Sequence, residues 1–264
     1  MNTPFSIREA ILFGWVTTRA HSAIVFQVVL TLLALQVADA IVQKTLVHSL
    51  LGGLASTVLT ILTVFVSVGA MIITLKLARG EEVQYREIMP DWRFAIKFTV
   101  AGMITAIVSL FPLIVSGLVC ALFIVATGGH ITSAAFYQLF TPMYEYQTVG
   151  QVTSASVHQL LVSMHVYQIV IATFIMLVGL GATLYLFVRL SMVRFAIIDG
   201  SKVVQSLRDS RTMTQGVFLK LLVFLGIVIL LNIFGTLLFL VGVLVTLPVS
   251  LIAYAYVYDK LKSR

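Results

Sequence analysis

Side chains able to do chemistry are few in this sequence, and most of them gather in one region. His48, His130, His158 and His165 stand with Glu145, the only carboxylate between Thr127 and Gln168, near Tyr137, Tyr144 and Tyr146. Imidazoles with a carboxylate can ligate zinc or copper, and imidazole also titrates near neutral pH, so the group is a candidate metal site or acidity sensor. His158 and His165 are seven residues apart and share a face if their stretch is helical. The spacing contains no tight metal-binding pair. Lone interfacial histidines are therefore the competing reading, and neither metal nor cofactor is assigned.

Other polar side chains sit within long apolar runs. Asp39, with Lys44 five residues on, predicts either a loose interfacial ion pair or a proton or cation site. Asn232 must find a hydrogen-bond partner, expected on a neighbouring helix backbone, with a ligand contact as the alternative. Ser56, Thr60, Thr63, Ser67, Ala70 and Thr74 are spaced 4, 3, 4, 3 and 4 apart and so form one helical stripe. That stripe is either a face for close helix contact or the wall of a hydrophilic path. Gly226, Gly235 and Gly242 predict tight crossings or a sharp turn.

Catalytic signatures are missing. There is no Gly-x-Ser-x-Gly elbow, no Walker A loop and no His-Glu-x-x-His. Gly179-Leu180-Gly181 lacks the third glycine of a nucleotide fingerprint and reads as a notch between helices. No paired carboxylates suggest acid–base work. The single cysteine, Cys120, excludes a disulfide within the chain. The expectation is a protein that is not an enzyme.

The elements that position these residues follow from composition. Of 264 residues, 60% are hydrophobic and 10% charged, against roughly 45–50% and about 25% in a soluble domain. Lipid must be the solvent for most of the chain. Six windows approach the ~20 apolar residues needed to cross a bilayer: 22–42, 54–75, 98–126, 167–188, 217–236 and 240–258. Pro112 predicts a kink or tilt in the third, and a short turn or re-entrant segment is expected over Leu237–Leu244. The fold expected is an all-α polytopic bundle forming a single integral membrane domain.

Threading these spans puts 16 of the 17 Lys and Arg residues on one side, leaving only Lys44 on the other. The positive-inside rule then predicts cytoplasmic N- and C-termini. It also accounts for the net charge of +7 without nucleic acid. Basic amphipathic loops, Lys76 to Lys97 and Arg189 to Lys220, are expected to lie on anionic lipid headgroups or to dock a membrane or cytoplasmic protein. Tyr254, Tyr256 and Tyr258 fit an interfacial aromatic belt.

A faint threefold repeat also shows. Ile7-Arg8-Glu9-Ala10-Ile11, Tyr85-Arg86-Glu87-Ile88-Met89 and the segment Val203 to Arg211 each precede a pair of spans, predicting three interfacial helices that each lead into a hairpin.

The C-terminal part carries a family likeness. Ser206-Leu207-Arg208-Asp209-Ser210, followed by Gly235, Gly242, Val245-Thr246-Leu247-Pro248 and Ala253-Tyr254-Ala255-Tyr256, resembles the membrane domain attached to some glycerophosphoryl diester phosphodiesterases. It is similar also to the stand-alone six-helix bacterial relatives of that domain. The resemblance is best over Arg189–Lys260 and architectural before it. It implies a six-helix bundle in a prokaryotic cytoplasmic membrane and brings no catalytic residues, since no phosphodiesterase domain fits in the chain. Together these readings predict a multi-pass membrane protein that scaffolds or regulates by binding lipid or protein, with a small-solute transporter or channel as the alternative.

Overall fold

A computed structural model of the chain describes residues 5–46, 49–127, 166–237 and 241–263. Among these residues every regular element is helical. Helices α1 (Ile7–Ala20), α2 (Ser22–Thr45) and α3 (Leu50–Arg79) are followed by a 3-10 turn, Tyr85–Ile88, and by α4 (Trp92–Ala126). After the undescribed segment come α5 (Val166–Leu190), α6 (Val193–Ile198), α7 (Val203–Met213), α8 (Phe218–Leu237) and α9 (Val241–Lys262).

Six of these helices are long and apolar enough to cross a membrane, and the protein is a multi-pass membrane protein. The helices overrun the windows read from hydropathy. α4 has 35 residues, roughly 52 Å at ~1.5 Å per residue, well beyond the ~30 Å of hydrocarbon. It continues through Pro112. Charged residues such as Arg93 and Lys97 close the hydropathy window but do not stop helix formation.

Local chemistry sets the ends. The Ser6 hydroxyl accepts from the Glu9 backbone N–H to start α1, and Ser49 does the same for Gly52 at the start of α3. α3 stops at Gly80, whose φ of 71° is left-handed, while the Glu81 N–H returns to the Lys76 carbonyl.

By contact the chain divides into two units, Met1–Thr105 with Val188–Arg264, and Ala106–Phe187. In the first unit, burial concentrates toward the helix ends that carry the cations. Val66 to Leu77 on α3, the stretch from Val188 to Ile197, Leu221 and Phe224 on α8 and Val249 to Leu261 on α9 supply most of it. The segment Met192–Ile197 is an inserted core piece. Phe195 is fully buried, stacks on Tyr258 and meets Tyr254 edge-on, both at 5.3 Å between centroids. The belt expected of the three tyrosines is thus corrected for Tyr258. It is 1% exposed, because α6 fills the space that lipid headgroups were expected to occupy.

α1 packs along α9, where Phe13 stacks on Tyr256 and Gly14 touches Val249 and Ala253. α7 docks by a buried hydroxyl stripe. Ser210 Oγ donates to the Arg189 carbonyl and accepts from the Met192 N–H, with Ser206 and Thr214 buried beside it. The repeat recurs in placement, since each hairpin follows a short element. The middle copy is a four-residue 3-10 turn rather than a helix.

In the second unit, Gly179 sits against Ser116 and the Pro112 carbonyl, as expected of a notch, and the Gln168 amide donates to the Thr127 carbonyl and hydroxyl.

The closest approach in the first unit is at Gly69, where an added Cβ would overlap the Ile88 backbone. Gly226 faces open space, contrary to its expected role in a tight crossing. Gly69→Ala should therefore lower thermal stability in detergent by about 1–3 kcal/mol, since backbone cannot yield. Gly226→Ala should leave it unchanged or raise it by up to ~1 kcal/mol. Equal melting shifts for the two variants would contradict the assignment.

Candidate functional site

The residues singled out by sequence divide sharply. His48, His130, Glu145, His158 and His165 lie outside the described residues. Asp39 accepts from Ser56 Oγ and from the Gln43 amide, each at 2.8 Å. Lys44 is not its partner, contrary to the expected pair. A helical carboxylate meets side chains four residues along or across the hairpin, and position i+5 points elsewhere.

The stripe on α3 is split. Ser56 joins Asp39, Ala70 and Thr74 are buried, but Thr60 and Ser67 are exposed. Thr63, Ser67 and Thr74 turn their hydroxyls back to their own helix, at Leu59, Thr63 and Met71. Asn232 finds its partner as expected in kind but not in group. Its amide donates to the Ser250 hydroxyl on α9 at 2.9 Å and to its own Val228 carbonyl. Where α8 and α9 cross, Gly235 lies against Thr246 and Gly242 against the Gly235 backbone. Only residues 238–240 separate the two helices, too few for a re-entrant segment.

The organised polar chemistry is elsewhere, at the cation-bearing ends of the first unit. Asp199 follows α6 and its side chain is 10% exposed. Arg79, at the end of α3, reaches it with two nitrogens at 2.8 and 2.9 Å and gives Nε to Asp259 at 3.0 Å. From α9, Tyr258 Oη and Lys262 Nζ donate to the same carboxylate at 2.7 and 2.8 Å. Burial pushes the Asp199 carboxyl up, but the hydrogen bonds from Arg79, Lys262 and Tyr258 outweigh it and hold it at about 2. Three donors converge on Oδ2 and one on Oδ1, so the charge is matched by two cations and a phenol. The carboxylate ties three helices together.

Beside it opens a cavity of about 520 Å³. Ile72, Leu75, Phe94 and Ile198 make its apolar wall, while Lys76, Arg79, Glu81, Glu87, Asp91 and Asp199 supply charge. Lys76 Nζ donates to Glu87 Oε1 at 2.8 Å, and Glu87 Oε2 is buried with no hydrogen-bond partner. Glu81 and Asp91 are exposed. Among the described residues no group of three or more His, Cys, Asp or Glu side chains is arranged to hold a metal ion.

Sequence reasoning missed this site. It treated Lys76, Arg79 and Lys262 as cations that set orientation, with the first two also in a loop expected to meet lipid headgroups or a protein partner. The available signal was Asp199 itself, a carboxylate directly after the apolar Phe195–Ile198 run. Compared with known proteins, the chain matches no family model, no curated protein and no solved structure.

The Asp199 cluster carries a pH signature. Its folded value, about 2, lies below the ~3.9 of an unfolded aspartate, so its contribution is complete above about pH 4 and is lost as pH falls toward 2. Asp199→Asn should cost roughly 2 kcal/mol at pH 6 and almost nothing near pH 2. Melting curves of both proteins across that range check this; a gap independent of pH would refute it.

Proposed function

We propose that the chain is a multi-pass membrane protein that supports or regulates by binding rather than by catalysis. Its binding face is the cation-bearing end of the bundle. One observation carries the reading: the side chains that could work are divided between an internal cluster of ion pairs and a basic surface without them. Asp199, Asp259 and Glu87 are engaged by Arg79, Lys262 and Lys76. Arg8, Arg19, Lys97, Arg194, Lys202, Arg208 and Arg211 are exposed and form no ion pair among the described residues. Such a surface favours anionic lipid headgroups, at ~1 kcal/mol per cation, or an acidic protein partner.

Close packing between α2, α3 and α9 supports binding over passage. Val25, Val28, Ile73, Leu77 and Ile252 close around a residual space of about 20 Å³ there. The transporter or channel reading rests on Pro112, Pro248 and the Ser/Thr stripe, and the stripe's hydroxyls at Thr63 and Ser67 are satisfied by their own helix. A prokaryotic cytoplasmic membrane with both termini inside, and kinship with the phosphodiesterase-associated membrane domain, belong to the same proposal and rest on the cation distribution and the likeness over Arg189–Lys260.

Replacing Lys202, Arg208 and Arg211 together by Gln should weaken retention of phosphatidylglycerol by the purified protein roughly 100-fold, at ~1 kcal/mol for each cation. Native mass spectrometry from mixed micelles reads this. Unchanged retention, or solute flux through liposomes abolished by Thr63→Trp, would favour transport instead.

A further inference from the structure

The cavity beside Asp199 has both kinds of charge and an apolar wall, a combination the basic surface lacks. Its carboxylates outnumber its cations, with Glu81, Glu87, Asp91 and Asp199 against Lys76 and Arg79. The cations are held in place without being exhausted. Lys76 gives one N–H to Glu87, and each terminal nitrogen of Arg79 gives one to Asp199, so donors remain on both side chains. Acceptors remain too. Glu81 and Asp91 form no ion pair among the described residues, and Glu87 Oε2 is a buried carboxylate oxygen with no donor, a costly state that normally signals a missing partner. At about 520 Å³ the space is within the usual size of a small-molecule site. It opens where α3 ends and α4 begins, with Ile72, Leu75, Phe94 and Ile198 along one side.

We propose that this cavity binds a phosphoethanolamine group: its ammonium faces Glu81, Glu87 and Asp91, its phosphate faces the spare donors of Lys76 and Arg79, and an attached chain lies on the apolar wall. The inference rests on reading the chain as a membrane-resident binding protein, but it uses none of the surface cations of α7. Chemistry gives the selectivity. A trimethylated ammonium has no N–H to donate to Glu81, Glu87 and Asp91, which bind it together, and a glycerol headgroup brings no positive charge to a lining with surplus carboxylates.

The test uses the full chain purified in micelles containing equal amounts of phosphatidylethanolamine, phosphatidylcholine and phosphatidylglycerol, with retained lipid read by native mass spectrometry. The expected result is about tenfold preferential retention of phosphatidylethanolamine over phosphatidylcholine, the two lipids that the surface cations do not distinguish by charge. That preference should be lost in the Glu81→Gln, Asp91→Asn double variant at unchanged melting temperature, because both side chains are exposed. It should persist in the Lys202, Arg208 and Arg211 variant, which separates failure of this site from failure of the basic surface. Displacement of the lipid by soluble phosphoethanolamine would identify a free headgroup compound as a sufficient ligand; no displacement would identify the chain-bearing lipid as the ligand. Equal retention of phosphatidylethanolamine and phosphatidylcholine, or a preference that survives the double variant, overturns the proposal.

Discussion

A carboxylate withdrawn from water must be neutralised where it stands, because desolvating a lone charge costs more than folding can return. Asp199 meets that demand with donors drawn from α3 and α9, at sequence separations of 120, 59 and 63 residues. Satisfying it fixes where those helices end relative to α6. Phe195, four residues before Asp199, is then held against Tyr254 and Tyr258. In lipid, the hydrophobic effect gives little drive for helices to associate. Here a charge requirement and an aromatic stack supply the specificity that oil-on-oil contact cannot.

The same logic governs the smaller polar contacts. Ser56 with Asp39, Ser250 with Asn232 and Ser210 with the Arg189 carbonyl each join two helices through one hydroxyl. Where a serine or threonine lacks such a neighbour, as at Ser67, it returns its proton to its own turn. Close helix approach is left to glycines set against backbone or small side chains, as at Gly14, Gly69 and Gly235.

How much of this was legible follows from the range of each interaction. Six spans were readable because hydropathy over ~20 residues is a local property. Their ends were not, since α3 and α4 run on through Lys76 and Lys97 once those side chains have polar surroundings. Spacing showed that Ser56 to Thr74 share a face, but not that its middle lacks a neighbour. Asp39 was rightly noticed, yet its partner lay 17 residues away across a hairpin rather than at Lys44. The Asp199 cluster and its cavity depend on three distant segments meeting, which no window of sequence contains.

Large buried side chains in the first unit gather in the cation-bearing half of its helices, while Leu54, Val58 and Ile61 on α3 and Leu230, Ile233 and Phe234 on α8 remain exposed. Burial therefore belongs mainly to the end that carries the charge network, and the apolar side chains beyond it are surface for hydrocarbon to solvate.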